Sequence, residues 1–218
     1  MTQPTILAFD TSAPHCAATL LHKGQVITRI DEMAKGQAEH LMPMLEEILA
    51  AEGLAWANLD AIGVGIGPGN FTGIRIAVAA ARGLALGLAK PAVGVSTLDA
   101  QTYGLGAGTI VSCADARRDM AYVQLGMQVD TAQLVQLTAD AMPALNLKSD
   151  PRVVGGVANQ IASLTGWQPV AANVPTIEGI AHLAAARHAN VNLPRPAPLY
   201  LRSADAAPPR DAPPKIIA

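Results

Sequence analysis

Four stretches of this chain hold residue types that could do chemistry. The first is Gly67-Pro68-Gly69-Asn70-Phe71-Thr72-Gly73-Ile74-Arg75, a turn between a short apolar strand and an alanine-rich helix. Glycine permits positive φ and close backbone approach, and Thr72 is a suitable N-cap. A glycine-rich strand-to-helix turn can hold an anion at the helix N-terminus. No Gly-Lys-Ser/Thr follows, so this is not a P-loop, and the spacing is not the dinucleotide fingerprint. From the residues alone a structural turn is favoured over a phosphate cradle. The second and third stretches, Asp10-Thr11-Ser12 and Asp115-Ala116-Arg117, each place a carboxylate at the end of an apolar run. The fourth is Val153-Val154-Gly155-Gly156-Val157-Ala158-Asn159, whose paired glycines suit either a tight turn or a flat ligand against the backbone.

Other chemistries find little support. Cys16 and Cys113 have no neighbouring histidine that spacing can justify as a base, and no G-x-S-x-G elbow is present. Two buried cytosolic thiols are expected rather than a disulfide. His182 and His188 stand six apart and do not share a helical face.

The elements that must position these groups read as follows. Thr5 to Asp10 is a buried strand, and Cys16 to Leu21 with Gln25 to Ile30 form a hairpin around His22-Lys23-Gly24. Gln37 to Glu52 is a helix with Leu41, Leu45, Ile48 and Leu49 on one face, widened by Met42 and Met44. Pro43 requires that this helix start near Leu41 or kink there. Gly73 to Leu88 is a second helix. Its Ile76, Ala77, Ala80, Ala81, Leu84 and Leu88 cover more than one stripe, so more than one side must be buried. Ala92 to Val95 is a strand, and Thr97 caps a short helix ending by Gly104. Thr109 to Asp115 and Met120 to Met127 are strands. Ala139 to Leu145 is a short helix, Arg152 to Gly155 a strand, Ala158 to Leu164 a helical turn or two, and Thr176 to Ala189 a helix. Apolar strand, Asp, turn, strand thus occurs twice, a weak internal duplication.

Composition sets the outer limits. Half of the residues are apolar and only 3% are aromatic, so the core must be built from Ala, Val, Leu and Ile. A net charge of −2 gives no global electrostatic case for binding nucleic acid. No leader-like basic and apolar opening is seen. The most apolar helix, interrupted by Arg75 and Arg82, is expected to be too short and too charged to span a bilayer. A cytoplasmic chain with no membrane contact is expected.

The run from Gly67 to Arg75 resembles the GPGSFTGLR signature of the bacterial TsaB (YeaZ) family, with Asn70 where serine is usual and Ile74 where leucine is usual. The likeness extends from Ile6-Leu7-Ala8-Phe9-Asp10-Thr11 to Gly94-Val95-Ser96-Thr97-Leu98, and Pro198-Leu199-Tyr200-Leu201-Arg202 resembles the family's PxYLR. The resemblance implies a two-lobed α/β fold of the actin-like, ribonuclease-H-like kind, with duplicated βββαβα units. Its lobes would be residues 1–104 and 105–203, followed by a proline-rich tail, 204–218.

It further implies a non-catalytic scaffold in the complex that transfers threonylcarbamoyl to N6 of the anticodon-adjacent adenosine of ANN-decoding tRNAs. The partners implied are a TsaD-like catalytic subunit, a TsaE-like ATPase, tRNA through the complex, and a second copy when the chain is alone. The expected interface is Leu41, Met42, Leu45, Ile48, Ile76, Ala77, Ala80, Ala81 and Leu84. In actin-like ATPases, phosphate and metal sit where Asp10, Thr11, Ser12 and Asp115 stand here, but Pro14 removes an N–H from the first turn. Turn-capping carboxylates are the favoured reading. Gly155-Gly156 resembles the GGVxAN of the TsaD paralogue, with Asn159 one position early. That paralogue binds iron or zinc through a His-x-x-x-His pair on its first long helix. Here Gln37 and His40 have Leu41 and Met44 at i+4, so no such metal site is expected. No cofactor is required of this chain, and ADP or ATP at the partner interface is left open. The alternatives are a stand-alone actin-like ATPase or kinase, and a metallopeptidase.

Overall fold

In the computed structural model, residues 3–141 and 151–202 are described. The fully buried β1 (Ile6–Asp10) lies at the centre of a five-stranded sheet. It pairs antiparallel with β2 (His15–His22), which pairs with β3 (Gln25–Glu32), and parallel with β4 (Ala61–Gly65), which pairs with β5 (Ala92–Val95). The order is β3-β2-β1-β4-β5. Alternation along β1 sends its side chains to opposite faces. Leu7 and Phe9 join a cluster with Leu45, Ile74 and Ala77, whereas Ile6 and Ala8 join one with Ile177, Ile180 and Ala184. Each such fully buried large side chain stabilises the fold by roughly 2 kcal/mol.

The second sheet repeats the first. It contains β6 (Ile110–Asp115), β7 (Met120–Leu125), β8 (Gln133–Gln136), β9 (Arg152–Gly155) and β10 (Gln168–Val170). The order β10-β9-β6-β7-β8 is the first sheet's order counted from β6, with the same parallel and antiparallel pairs. The duplication that the sequence carries faintly is therefore complete in topology, and the fold is actin-like α/β. The edge strands β8 and β10 are four and three residues long, too short to show a period in sequence.

Two helices cover one face of the first sheet. The first, α1 (Gln37–Ala51), keeps Pro43 inside a continuous helix, against the expected start near Leu41. Pro43 is exposed, so the Glu39 carbonyl, deprived of its N–H partner, faces the solvent side. The second, α2 (Phe71–Leu88), begins two residues before the expected Gly73, and its cap is Asn70 rather than Thr72: Asn70 Oδ1 accepts from the Gly73 amide at 3.0 Å. The usual serine and this asparagine are both good caps, which explains why the position tolerates either. By length and composition α2 is long and apolar enough to cross a membrane, contrary to expectation. Here, however, Gly73, Ile74, Ala77, Val78 and Ala81 pack on the sheet, and Arg75 and Arg82 are bonded to Tyr200 and Pro196.

Three helices complete the layers. The cap of α3 (Thr97–Gln101) is Ser96, whose Oγ accepts from the Leu98 amide at 3.1 Å; Thr97 donates to Pro68 instead. α4 is Ala158–Thr165 and α5 is Thr176–Arg187. Although late in sequence, α5 lies on the first sheet, and Gly63 lets it approach: a Cβ there would stand 3.0 Å from the Ala184 Cβ. Of the expected helix from Ala139 to Leu145, a 3-10 turn at Ala139–Ala141 is seen, and residues 142–145 lie outside the described residues. The expected tail, 204–218, also lies outside them.

Candidate functional site

The two strand-end carboxylates meet. A cleft of about 900 Å3 between the sheets is lined by Asp10, Ser12 and His15 on one side and Asp115, Ala116 and Arg117 on the other. Topology does this: β1 and β6 are the corresponding central strands of two copies of one unit, so their C-terminal ends face a common space.

Asp10 is 4% exposed. Its Oδ2 accepts from the Ser12 amide at 3.2 Å, from the Ser12 hydroxyl at 2.8 Å and from His15 Nε2 at 3.3 Å. Its Oδ1 is buried, without a partner among the described residues, against Gly65, where any Cβ would collide with it. The hydrogen bond to Asp10 raises the His15 pKa above its usual 6.5, against burial, which lowers it. Asp115 is exposed, and its Oδ1 accepts from the Arg117 amide at 2.8 Å. Both carboxylates thus cap their own turns.

The signature turn packs against the first of these turns, and its Pro68, Gly69, Asn70 and Phe71 also line the cleft. The Asn70 amide donates to the Ser12 carbonyl at 2.6 Å, and the Thr11 hydroxyl donates to the Gly73 carbonyl at 2.6 Å. A Cβ on Gly73 would collide with the Thr11 carbonyl oxygen, and one on Gly69 with that of Ser12. Gly67, at φ +90°, precedes a cis peptide to Pro68, and its carbonyl accepts from the Thr97 amide at 2.9 Å. Thr72 is exposed at the start of α2. Phe71 and Arg75 contact Tyr200.

These bonds decide whether a nucleotide fits. The amides that would meet phosphate are engaged within the fold: Ser12 N–H by Asp10, Asn70 N–H by Ser12, and Gly73 N–H by the Asn70 side chain. Gly155, Gly156 and Asn159 are not among the residues lining the cleft. Gly155 packs tightly under Cys113 and Gln101, while Gly156 and Asn159 face solvent. The expected purine platform and the two carboxylates are therefore not brought together, and the residues present do not fit a nucleotide spanning them.

Histidine placement bears on metal. His40 Nε2 pairs with Asp31 at 2.7 Å, beside an Arg29–Asp31 pair at 2.8 Å. Tyr103 stacks on His182. Among the described residues no three His, Cys, Asp or Glu side chains are grouped to hold a metal ion. Burial raises both thiols, Cys16 and Cys113, to about 11.

A second surface lies on the outside of α1 and α2. Leu41, Leu45, Ile48, Ala77 and Ala81, expected at an interface, are buried against the chain's own sheet and cannot present a surface; helical period alone does not tell an inner stripe from an outer one. Met42, Ile76, Ala80 and Leu84 remain partly exposed. Trp56, Gly83 and Gly87 around them were not anticipated. Met42, Trp56, Ala80, Gly83, Leu84, Gly87 and Leu88 line a shallow groove of about 470 Å3, and Leu86 beside it is 86% exposed. A Cβ on Gly83 or Gly87 would meet nothing within 4 Å among the described residues. The i, i+4 spacing of Gly83 and Gly87 was the available signal.

Residues 31–175 match the family model of TsaD, tRNA N6-adenosine threonylcarbamoyltransferase. The tRNA threonylcarbamoyladenosine biosynthesis protein TsaB of Haemophilus influenzae is 38% identical over 123 residues, 54% of this chain and 52% of that protein. The match therefore spans about half the length of that relative. An uncharacterized protein of Mycobacterium tuberculosis is 35% identical over 213 residues, 94% of each chain. The solved structure of YeaZ from Pseudomonas aeruginosa superposes with a TM-score of 0.69 at 30% identity, covering 91% of this chain and 100% of that one. With its duplicated fold and its signature turn, the chain belongs to the TsaB (YeaZ) family, within the wider group that the TsaD model describes.

Proposed function

We propose that this chain acts in tRNA threonylcarbamoyladenosine biosynthesis as a non-catalytic scaffold and activating subunit, not as an enzyme on its own. The complex it would serve transfers a threonylcarbamoyl group to N6 of the adenosine next to the anticodon in ANN-decoding tRNAs. The partners proposed are a TsaD-like catalytic subunit, a TsaE-like ATPase and tRNA through the assembly, with a homodimer when the chain is alone. The chain works in the cytoplasm and needs no cofactor of its own. The expected second lobe, 105–203, is divided: β6 to β10 form the second sheet, whereas α5 packs on the first.

The observation that carries this reading is the outer face of α1 and α2. Gly83 and Gly87 each cost a helix about 1 kcal/mol relative to alanine, and nothing among the described residues occupies the space they leave. Together with the exposed Leu86 and the partly exposed Leu84 they make an apolar face suited to close approach by a second helix. Family membership supplies the partner.

The test is light-scattering mass on a sizing column, for the chain alone and with the TsaD-type subunit from the same source. A stable mixed species is expected, lost in Leu84→Glu and Leu86→Glu variants that keep the native Tm. A chain that ignores that subunit would overturn the reading. The stand-alone ATPase reading rests on one feature, the meeting of Asp10 and Asp115 at one cleft; ATP turnover by the purified chain would support it.

A further inference from the structure

Residues 196–202 contain no helix or strand, yet they are fastened to both sheets. Towards the first sheet, Arg82 Nε donates to the Pro196 carbonyl at 2.7 Å, and the Leu199 amide donates to the Ile66 carbonyl at 2.8 Å. Arg75 Nε donates to the Tyr200 hydroxyl at 3.0 Å. The Tyr200 ring stacks on Phe71 with centroids 4.7 Å apart, and the Arg75 guanidinium lies 3.9 Å from the Phe71 centroid. Towards the second sheet, Arg202 Nη1 donates to the Ala116 carbonyl at 3.0 Å, in the β6–β7 turn. Leu201 packs with Leu98, Ala116 and Tyr122. Leu199, Tyr200, Leu201 and Arg202 all line the cleft that Asp10 and Asp115 share.

We propose that residues 196–202 are a clasp that holds the two sheets at a fixed separation, and that its release opens the cleft. The anchors are divided unequally. Pro196, Leu199 and Tyr200 are tied to α2 and to the chain just after β4, so this part moves with the first sheet. Leu201 and Arg202 reach across to the β6–β7 turn. That turn holds Arg117, Arg118 and Asp119 at φ 61°, 53° and 54°, three consecutive left-handed residues. Such a backbone is costly for side chains with a Cβ and persists only when its surroundings hold it. The Arg202 bond to Ala116 is one of those holds, and it adjoins the Asp115 wall of the cleft. Tyr200 is 43% exposed, so the stack on Phe71 can part without opening the core. Because Arg75 and Arg82 lie on α2, the clasp also joins that helix to the second sheet. The proposal stands apart from the assignment of a partner.

The test combines spin-label distances with hydrogen exchange on the full chain. Labels at Lys35→Cys and Gln136→Cys report across the two sheets, and labels at Lys35→Cys and Lys90→Cys report within the first. All three sites lie outside the hydrophobic clusters, and the native thiols Cys16 and Cys113 are fully buried and protected from labelling. Samples are diluted with unlabelled protein to suppress signals between copies. In Tyr200→Ala and Arg202→Ala backgrounds, the cross-sheet distance should lengthen and broaden while the within-sheet distance stays fixed. Amides of residues 116–120 should exchange on the order of tenfold faster. Arg202→Lys, which keeps a donor, should restore most of the protection. Unchanged cross-sheet distances in both variants would overturn the clasp. Loosening spread evenly over both sheets with a lowered Tm would also overturn it, since residues 196–202 would then be an ordinary part of the fold.

Discussion

Arg187 in α5 donates Nη2 to Asp99 Oδ2 in α3 at 3.2 Å, across 88 positions of sequence. The other oxygen of Asp99 accepts from Gln124 Nε2 of β7 at 2.7 Å. Asp99 is 2% exposed, so one buried carboxylate joins a helix that packs on the first sheet to a strand of the second. Asp99→Ala should leave one buried N–H of Gln124 unpaired, its other still bonded to the Gly126 carbonyl, and remove the carboxylate beside Arg187, at a cost of about 2 kcal/mol. Urea unfolding monitored by circular dichroism checks this; a midpoint within error of wild type would refute it.

Two glycines of α2 should respond in opposite directions to one substitution. A Cβ at Gly73 collides with the Thr11 carbonyl, so Gly73→Ala should force apart the turns that the Thr11–Gly73 bond joins and destabilise by about 3 kcal/mol or more. A Cβ at Gly83 meets nothing among the described residues, so Gly83→Ala should stabilise the isolated chain by roughly 0.5–1 kcal/mol through helix propensity. If the outer face docks a helix, the same Gly83→Ala variant should weaken the complex while raising the Tm of the free chain. Calorimetry on both variants, with and without the TsaD-type subunit, separates the effects.

The Asp10 hydrogen bond raises the His15 pKa above 6.5. Protonated His15 is therefore favoured in the folded state, and its contribution is fully present below about pH 6.5. It is lost as pH rises through the raised value. A proton titration of the His15 ring by nuclear magnetic resonance should give a midpoint above 6.5, and His15→Gln should flatten the stability profile just above that pH. A midpoint at or below 6.5 would remove the Asp10–His15 pair from the account.

Cys16 and Cys113 are both fully buried, with pKa values near 11. Thiolate is the reactive form, so both should resist iodoacetamide at pH 8 in the folded protein and react together in urea. Mass spectrometry of the intact chain reads this directly. Rapid alkylation of either thiol under native conditions would contradict its placement.

Much of the architecture is legible in the sequence. The unbroken apolar run Ile6-Leu7-Ala8-Phe9, the hairpin at Lys23-Gly24 and the period of Thr176–Arg187 are local patterns, and local backbone preference with burial is enough to set them. The signature turn was legible because glycine spacing is a backbone requirement, here enforced by the carbonyls of Thr11 and Ser12.

Caps were misread by one or two positions. Thr72 and Thr97 qualify by type, but Asn70 and Ser96 sit where the chain enters each helix, and that is settled by the turn's contacts with the neighbouring strand ends.

By itself the sequence determined the family signature, the α/β class and the repeated strand-Asp unit, because each is written in residues close together along the chain. Only the tertiary structure decided what those residues face. Packing against the sheet put Leu45 and Ala77 inside and left Leu84 and Leu86 outside, a choice between faces that the helical period leaves open. Duplication of the sheet brought Asp10 and Asp115 to one cleft and kept Gly155 and Gly156 out of it. The return of the chain after α5 brought Tyr200 to Phe71 and Arg202 to Ala116. Contacts between residues a hundred positions apart depend on how whole layers stack, and no local pattern in the chain records that.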